Sequence, residues 1–158
     1  MSEDIAKEIV KFKAENVKGI VIDLRNNGGG SLYEVIQMVG LFINQGPVVQ
    51  VRDREGKSNI LSDRQSGTLY DGPLAVMVNE FSASASEIFA GAIQDYKRGI
   101  IIGSSSSYGK GTVQRNVAFG KPLDSLGIQT EYGAVKLTFQ KFYRITGSST
   151  QKKGVVPD

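Results

Sequence analysis

Apolar residues recur at intervals of three and four positions in three parts of the chain. They do so over 2–16, over 31–43 and in the later part of 82–96, a stretch that is predicted to be a loop entering a helix. This spacing predicts amphipathic helices, because positions three and four apart share one helix face. The predicted core face of the first helix consists of Ile5, Ile9, Val10 and Phe12. That of the second consists of Leu32, Val35, Ile36, Val39, Phe42 and Ile43.

Short apolar runs rich in β-branched residues alternate with these helices. The runs at 19–25, 72–79 and 99–103 predict buried strands. The stretch 46–61 predicts a hairpin that turns at its Arg-Glu-Gly sequence, and most of the chain beyond Thr112 has a strand-like pattern. Because strands and helices alternate, the predicted fold class is α/β.

Two loops of this α/β pattern leave a buried strand and enter a helix. The first, 26–30, has the sequence NNGGG, and the second, 80–86, carries three serines. In an open α/β sheet such loops gather at the carboxyl ends of the strands, where ligands bind. The sequence therefore predicts that any site lies between these two loops.

Composition limits the classes of function. At 158 residues the chain has the length of one domain, and its net charge of +3 is too small to indicate nucleic-acid binding. No apolar run approaches the roughly 20 residues that a membrane span needs. The start is acidic rather than signal-like, and the polar segment 147–158 is expected to be a flexible tail.

The chain contains no cysteine and no histidine. A Ser-His-Asp triad and a thiolate nucleophile are therefore excluded, and so are the usual ligands of zinc. No metal and no cofactor are predicted. If the chain performs acid–base chemistry, its base must be an aspartate, glutamate, lysine or tyrosine.

The stretch 103–114, GSSSSYGKGTVQ, invites comparison with a phosphate-binding loop. A P-loop needs four residues between its glycines, a serine or threonine after the lysine, and a following helix. Here five residues separate Gly103 from Gly109, Gly111 follows the lysine, and a strand is predicted next. Nucleotide binding is not predicted.

The remaining role for Lys110 is that of a base. A serine at the start of a helix lies beside backbone amides that have no partner within the helix. A glycine loop can supply further amides, and two amides aimed at one point form an oxyanion hole. A lysine packed against apolar neighbours can lose its proton and then accept that of a serine, as in known Ser–Lys pairs.

Simpler interpretations exist for the same residues. Ser84 and Glu87 have the spacing of a capping box, as do Ser31 and Glu34. Taken alone, Lys110 would most often be a solvated loop lysine. The three glycines could form only a tight turn.

Four segments together resemble the C-terminal processing peptidases, also called tail-specific proteases. The segments are GIVIDLRNNGGG, VNEFSASASEIFAGAIQDY, GKGTVQ and KFYRITGSSTQKKGVVPD, in family order. The resemblance implies a crotonase-like α/β core of ββα units. It also implies serine endopeptidase activity on proteins or peptides, often recognised through an apolar C-terminus.

The resemblance also assigns roles to individual residues. The nucleophile would be Ser84, the general base Lys110, and Gln114 a third member that holds the lysine. The amides of Ala85 and Gly30 would form the oxyanion hole. The spacing from Ser84 to Lys110 is 26 positions, one more than is common in the family.

Further expectations concern the whole protein. Members of the family usually carry a PDZ domain, so 1–158 is expected to be a single, trimmed catalytic core without one. The family implies a bacterial cell envelope or periplasmic location and a protein or peptide substrate. Two alternatives stay open: an inactive peptide-binding fragment of the same fold, and acyl-CoA chemistry of the crotonase type.

Overall fold

The computed structural model describes residues 2–119 and 133–158. Strands and helices alternate in them, so the predicted α/β class is confirmed. The part of the predicted strand region between 119 and 133 lies outside the described residues. In chain order the elements are α1 (Ser2–Ala14), β1 (Ile20–Asp23), α2 (Leu32–Gly40), β2 (Gly46–Arg52), β3 (Ser58–Asp63), β4 (Leu74–Val78), α3 (Ala85–Asp95), β5 (Ile100–Gly103), β6 (Thr112–Ala118) and β7 (Ala134–Tyr143).

The described strands form two sheets. The three apolar runs form a parallel sheet in the order β1-β4-β5, with Ile22 opposite Val76 and Val76 opposite Ile101. The predicted hairpin forms β2 and β3 of an antiparallel sheet in the order β3-β2-β7-β6. Because β1 and β4 are parallel neighbours, the loops that leave them lie at the same edge of the sheet.

Helix α3 forms the centre of the core. It contacts α2, the parallel sheet through β5 and the antiparallel sheet through β2. Every residue from Ala85 to Ile93 is buried, including Ser86 and Glu87. Phe89 packs edge-on against Phe42, with ring centroids 5.9 Å apart. A helix enclosed on all sides gives its first turn a fixed position, and that turn carries the second of the two predicted site loops.

The helices differ in detail from the sequence prediction. Of the predicted core face of α1 only Ile9 is buried, whereas Val10 is 56% exposed and Phe12 is 38% exposed. A single neighbouring helix covers a narrower stripe of α1 than the apolar pattern suggested. Helix α2 ends at Gly40, although Phe42 and Ile43 beyond it are still buried in the core.

The C-terminal segment is packed rather than free, which corrects the prediction of a flexible tail over 147–158. Val155 is fully buried, and its amide and carbonyl both bond to Ser107. The amide of Asp158 donates to the carbonyl of Ile101 on β5. The prediction rested on the polar composition of the segment. Polar groups can also be held in place by hydrogen bonds to the rest of the protein, as they are here.

No helix in the described part of the chain is long and apolar enough to cross a membrane.

Candidate active site

A cleft of about 470 Å³ opens where the glycine loop, the start of α3 and the paired strands β6 and β7 meet. The five residues singled out from the sequence, Ser84, Ala85, Gly30, Lys110 and Gln114, all line it. The fold thus brings together residues that are up to 84 positions apart in sequence, from Gly30 to Gln114. The other walls include the apolar residues Leu32, Ile88, Val113 and Phe142, and also Lys136, which the sequence had not indicated.

Ser84 occupies the sharp turn between β4 and α3. Its backbone has φ 59° and ψ −113°, a conformation that residues with a Cβ rarely adopt. Such backbone strain costs about 1–3 kcal/mol and persists only where the surroundings enforce it, most often at functional sites. A strained strand-to-helix turn is also the device by which hydrolases present a nucleophilic serine.

The neighbouring serines have structural roles. The fully buried Ser82 donates its hydroxyl to the carbonyl of Leu24, at 2.7 Å. The hydroxyl of Ser86 bonds to the backbone carbonyl and the side-chain oxygen of Asn27, both at 3.0 Å. These two serines fasten the second loop to the first, and Ser84 is the one of the three that lines the cleft.

The glycine loop lies directly against the Ser84 turn. At Gly29, where φ is +94°, a Cβ would lie 2.5 Å from the carbonyl oxygen of Ala83 and 2.7 Å from the amide nitrogen of Ala85. A side chain is therefore excluded there, which explains one of the three glycines. The Gly29 amide donates to the side chain of Asn27, at 2.9 Å.

Two amides beside this contact remain free donors. Ala85 is the first residue of α3, where a backbone amide has no partner within the helix. Within the described part of the chain, neither its amide nor that of Gly30 makes a hydrogen bond. Both residues line the cleft. The geometry is therefore compatible with an oxyanion hole built from these two amides.

Lys110 is half-buried and enters the cleft from a loop that packs on the C-terminal segment. A Cβ at Gly109 would lie 3.1 Å from the backbone of Lys152, and one at Gly111 would lie 2.9 Å from the amide nitrogen of Gln151. The flanking glycines therefore make room for the C-terminal backbone. That backbone in turn fixes the loop, because the Lys152 amide donates to the Gly109 carbonyl at 2.8 Å.

Gln114 lies at the start of β6 and is exposed. Its side-chain nitrogen is 3.5 Å from the hydroxyl of Thr138 on β7, a distance at the limit of a hydrogen bond. No hydrogen bond joins Gln114 to Lys110 among the residues that the structure describes. Gln114 reaches the cleft, and its role beside the lysine stays a prediction.

Glu87 has a second role besides the capping role that its spacing from Ser84 indicates. Its carboxylate does accept a hydrogen bond from the Ser84 amide, at 2.8 Å, as a capping box requires. It is also completely buried and bonds to the loop that carries Lys110. The spacing of a capping box could indicate the first contact but not the second, which joins residues 23 positions apart.

Asp23 and Arg25 flank the start of the glycine loop and form an exposed ion pair, with 2.7 Å between Arg25 Nη2 and Asp23 Oδ2. The hydrogen bonds from the Arg25 side chain and amide lower the pKa of Asp23 to about 2. Because this pKa lies below the ordinary value of about 3.9, the pair favours folding above about pH 4. Its contribution is lost as the pH falls through 2.

We therefore expect the Asp23 carboxyl carbon to titrate with a midpoint near pH 2 in an NMR pH series. In Arg25→Gln the midpoint should rise towards the ordinary aspartate value of about 3.9, because the cation and its hydrogen bonds are gone. An Asp23 midpoint that is the same in both proteins would contradict the assignment.

Within residues 2–119 and 133–158, no three carboxylate side chains are grouped so that they could hold a metal ion.

Comparison with known proteins bears on the nature of this cleft. A family model described as Peptidase family S41 matches residues 1–158, the whole chain. The chain belongs to peptidase family S41. The resemblance inferred from the four sequence segments is thereby confirmed.

Relatives of this S41 chain carry names that agree with the family. It is 49% identical over 160 residues to a tail-specific protease of Haemophilus influenzae, covering all of this chain and 22% of that protein. It is 40% identical to a carboxy-terminal-processing protease of Bartonella bacilliformis, covering 94% of this chain and 32% of that protein. The chain thus spans between a fifth and a third of the length of these relatives.

Solved structures of S41 peptidases share the fold. The photosystem II D1 C-terminal processing protease matches 99% of this chain and 38% of its own, with a TM-score of 0.82 and 31% identity. Mature CPAF matches 99% of this chain and 41% of its own, with a TM-score of 0.76 and 18% identity. At that identity the second likeness concerns the fold alone.

Proposed function

We propose that this chain is the catalytic core of a serine endopeptidase that cleaves proteins or peptides recognised near their C-termini, with Ser84 as nucleophile and Lys110 as general base. The observation that carries the proposal is the strained backbone of Ser84 at the start of a helix that is buried from Ala85 to Ile93. The protein holds this serine, and not Ser82 or Ser86, in a cleft that also contains Lys110. Family membership supports the same assignment.

The first chemical step would form an acyl-enzyme. Ser84 Oγ attacks the carbonyl carbon of the scissile peptide bond while Lys110 Nζ, in its uncharged form, accepts the hydroxyl proton. When the tetrahedral intermediate collapses, Lys110 returns that proton to the leaving amine. A water molecule then attacks the ester and, with Lys110 again acting as base, releases the new C-terminus and regenerates Ser84.

The negative oxygen of each tetrahedral intermediate needs fixed hydrogen-bond donors. The free amides of Ala85 and Gly30 border the cleft, and an amide in that role contributes roughly 3 kcal/mol to transition-state stabilisation. The Ala85 amide also lies at the positive end of the α3 dipole, which favours negative charge. Gln114, the proposed third member, would orient the Lys110 amine.

The lining of the cleft supports a peptide substrate with apolar side chains. Leu32, Ile88, Val113 and Phe142 present apolar surface beside Ser84, and such surface favours aliphatic groups over charged ones. Two relatives, named tail-specific protease and carboxy-terminal-processing protease, support cleavage near a C-terminus. Both come from bacteria, and the bacterial cell-envelope or periplasmic location that the family resemblance implies is part of the proposal.

A fluorophosphonate probe tests the proposal directly. An activated serine attacks its phosphorus atom and displaces fluoride, so a covalent adduct forms on the nucleophile alone. We expect the chain to be labelled and mass spectrometry to place the adduct on Ser84. The labelling rate should rise with pH, because Lys110 acts as a base only after losing its own proton.

Other results would overturn the proposal. An unlabelled chain that binds peptides would be a binding module, and saturable binding of coenzyme A would favour acyl-CoA chemistry. An adduct on a serine other than Ser84 would refute the assigned nucleophile. A labelling rate that does not change with pH would refute the assigned base.

Gly29→Ala provides a separate test of the oxyanion site. The added Cβ would collide with the Ala83 carbonyl and the Ala85 amide, so the glycine loop must move away from the Ser84 turn. A displacement of about 1 Å in a catalytic group can reduce the rate about 100-fold, and we expect a loss of that size in labelling rate.

Gly147→Ala is the matched control for Gly29→Ala. Gly147 has a similar φ of +86°, but no atom lies within 4 Å of its added Cβ. Both variants carry the backbone strain of a residue at positive φ, and only Gly29→Ala carries the collision. Equal labelling rates in the two variants would show that contact between the loops is not needed for activity.

A further inference from the structure

The Glu87 side chain is a completely buried carboxylate, 0% exposed, near the centre of the molecule. No lysine or arginine pairs with it in the described part of the chain. Its two oxygens instead accept four hydrogen bonds from neutral donors: three backbone amides and the Ser107 hydroxyl. Each of the two oxygens therefore accepts two of these hydrogen bonds. The number of donors exceeds what capping α3 would need.

The arrangement of these donors connects the two proposed catalytic residues. Glu87 Oε2 accepts from the Ser84 amide at 2.8 Å and from the Lys110 amide at 2.9 Å. One oxygen atom therefore bridges the backbones of the proposed nucleophile and the proposed base. Glu87 Oε1 accepts from the Gly109 amide at 2.7 Å and secures the same loop a second time.

The same carboxylate is also fixed from behind. The Ser107 hydroxyl donates to Glu87 Oε1 at 2.7 Å and accepts from the Val155 amide, also at 2.7 Å. Ser107 and Val155 are both buried. The carboxylate is thus held by its own helix, α3, and, through Ser107, by the packed C-terminal segment. Its position is fixed from both sides. A group fixed in this way can impose its geometry on the loops that bind it.

We infer that Glu87 is a positioning residue that sets the distance between Ser84 and Lys110, through hydrogen bonds from both backbones to one carboxylate oxygen. The inference rests on the proposed function. Glu87 does not touch the substrate or the reacting atoms. It acts by maintaining the strained turn at Ser84 and by placing the Lys110 loop against it. Its effect is therefore on the rate of the chemical step rather than on the binding of the probe.

The test compares Glu87→Gln and Glu87→Asp with the wild-type 158-residue chain. Glutamine keeps the shape but replaces one acceptor by a donor, which must face the hydrogen of an amide or hydroxyl. Aspartate keeps the charge but is one methylene shorter, so it cannot reach both loops at once. We expect the maximal rate of fluorophosphonate labelling to fall at least about 30-fold in the first and 10-fold in the second. The half-saturating probe concentration should change less than threefold.

Glu34→Gln is the matched control. Glu34 is also the third residue of a helix, α2, and its carboxylate also bonds to a distant residue, Ser2, at 2.8 Å. This substitution should destabilise the fold but leave the maximal labelling rate within twofold of wild type. All rates are measured well below the melting temperature of each variant, so that unfolding does not contribute to any difference in labelling rate. If Glu87→Gln does not fold, Glu87→Asp alone decides.

Hydrogen exchange of single amides provides a readout that does not depend on activity. The amides of Ser84, Gly109 and Lys110 should exchange faster in both Glu87 variants, whereas amides of β4 should keep their protection. A wild-type chain that is not labelled would refute the proposed function, and the exchange data would still show whether Glu87 holds the loops. Labelling of a folded Glu87 variant at a rate within threefold of wild type would overturn the inference.

Discussion

Ser84→Ala is expected to abolish fluorophosphonate labelling, and Lys110→Met to reduce its rate at least about 1,000-fold. The first variant removes the only atom proposed to bond to phosphorus. The second keeps most of the length of the side chain but has no amine, so the group proposed to take the serine proton is gone. Members of a nucleophile–base pair act as a unit, and loss of either one typically costs several orders of magnitude.

Matched substitutions separate these effects from general damage. Ser105→Ala and Lys7→Ala alter exposed residues of the same types outside the cleft, and both variants should label at the wild-type rate. Ser84→Ala should still fold, because removing the hydroxyl takes nothing from the core and loss of an N-cap side chain costs only about 1 kcal/mol. Substantial labelling of Ser84→Ala would show that another residue reacts, and normal labelling of Lys110→Met would exclude lysine as the base.

Arg144→Met is expected to lower the free energy of unfolding by about 3 kcal/mol. Arg144 follows β7 and clamps Asp95 at the end of α3, with contacts of 2.6 and 3.0 Å to the two carboxylate oxygens. The Arg144 side chain is 17% exposed and that of Asp95 only 7%. Removing the cation would leave a nearly buried carboxylate uncompensated, which is much more costly than losing a surface pair. The melting temperature should fall by about 6–12 °C.

A double-mutant cycle checks the cause of this loss. Asp95→Asn removes the nearly buried charge that Arg144→Met would leave without a partner. The loss of unfolding free energy in the double variant should therefore be at least about 1 kcal/mol smaller than the sum of the two single losses. Urea denaturation of the four proteins provides the free energies. Additive losses would show that the two side chains stabilise the fold independently, and a loss below about 1 kcal/mol in Arg144→Met would contradict the prediction.

Local pattern was sufficient for most of the elements, and the resemblance to a known family supplied the catalytic candidates. The β-branched runs became β1, β4 and β5, and the Arg-Glu-Gly stretch became the turn of the β2–β3 hairpin. These features depend on neighbouring residues, whose preferences can be evaluated from the sequence. The absence of histidine left aspartate, glutamate, lysine or tyrosine as a base, and the family resemblance assigned the roles of Ser84 and Lys110.

Interactions between distant segments could not be predicted in the same way. The prediction of a flexible tail over 147–158 was wrong because backbone groups of that segment form hydrogen bonds with Ser107 and Ile101, which hold it against the rest of the protein. Val10 was placed in the core by its spacing, yet no second element covers it. Each outcome depends on which other part of the chain arrives beside the residue, and spacing along one segment contains no information about that.

The sequence by itself determined the α/β class, the position of the glycine loop and the residue types available for chemistry. Only the tertiary structure decided that Ser84 would carry the backbone strain and that Ser82 and Ser86 would hydrogen-bond to the segment around the first loop. It also decided that a buried Glu87 would join the proposed nucleophile to the loop of the proposed base. The physical reason is that propensity and periodicity act over a few residues. A buried carboxylate, in contrast, is satisfied by whatever donors the completed fold brings within hydrogen-bond distance.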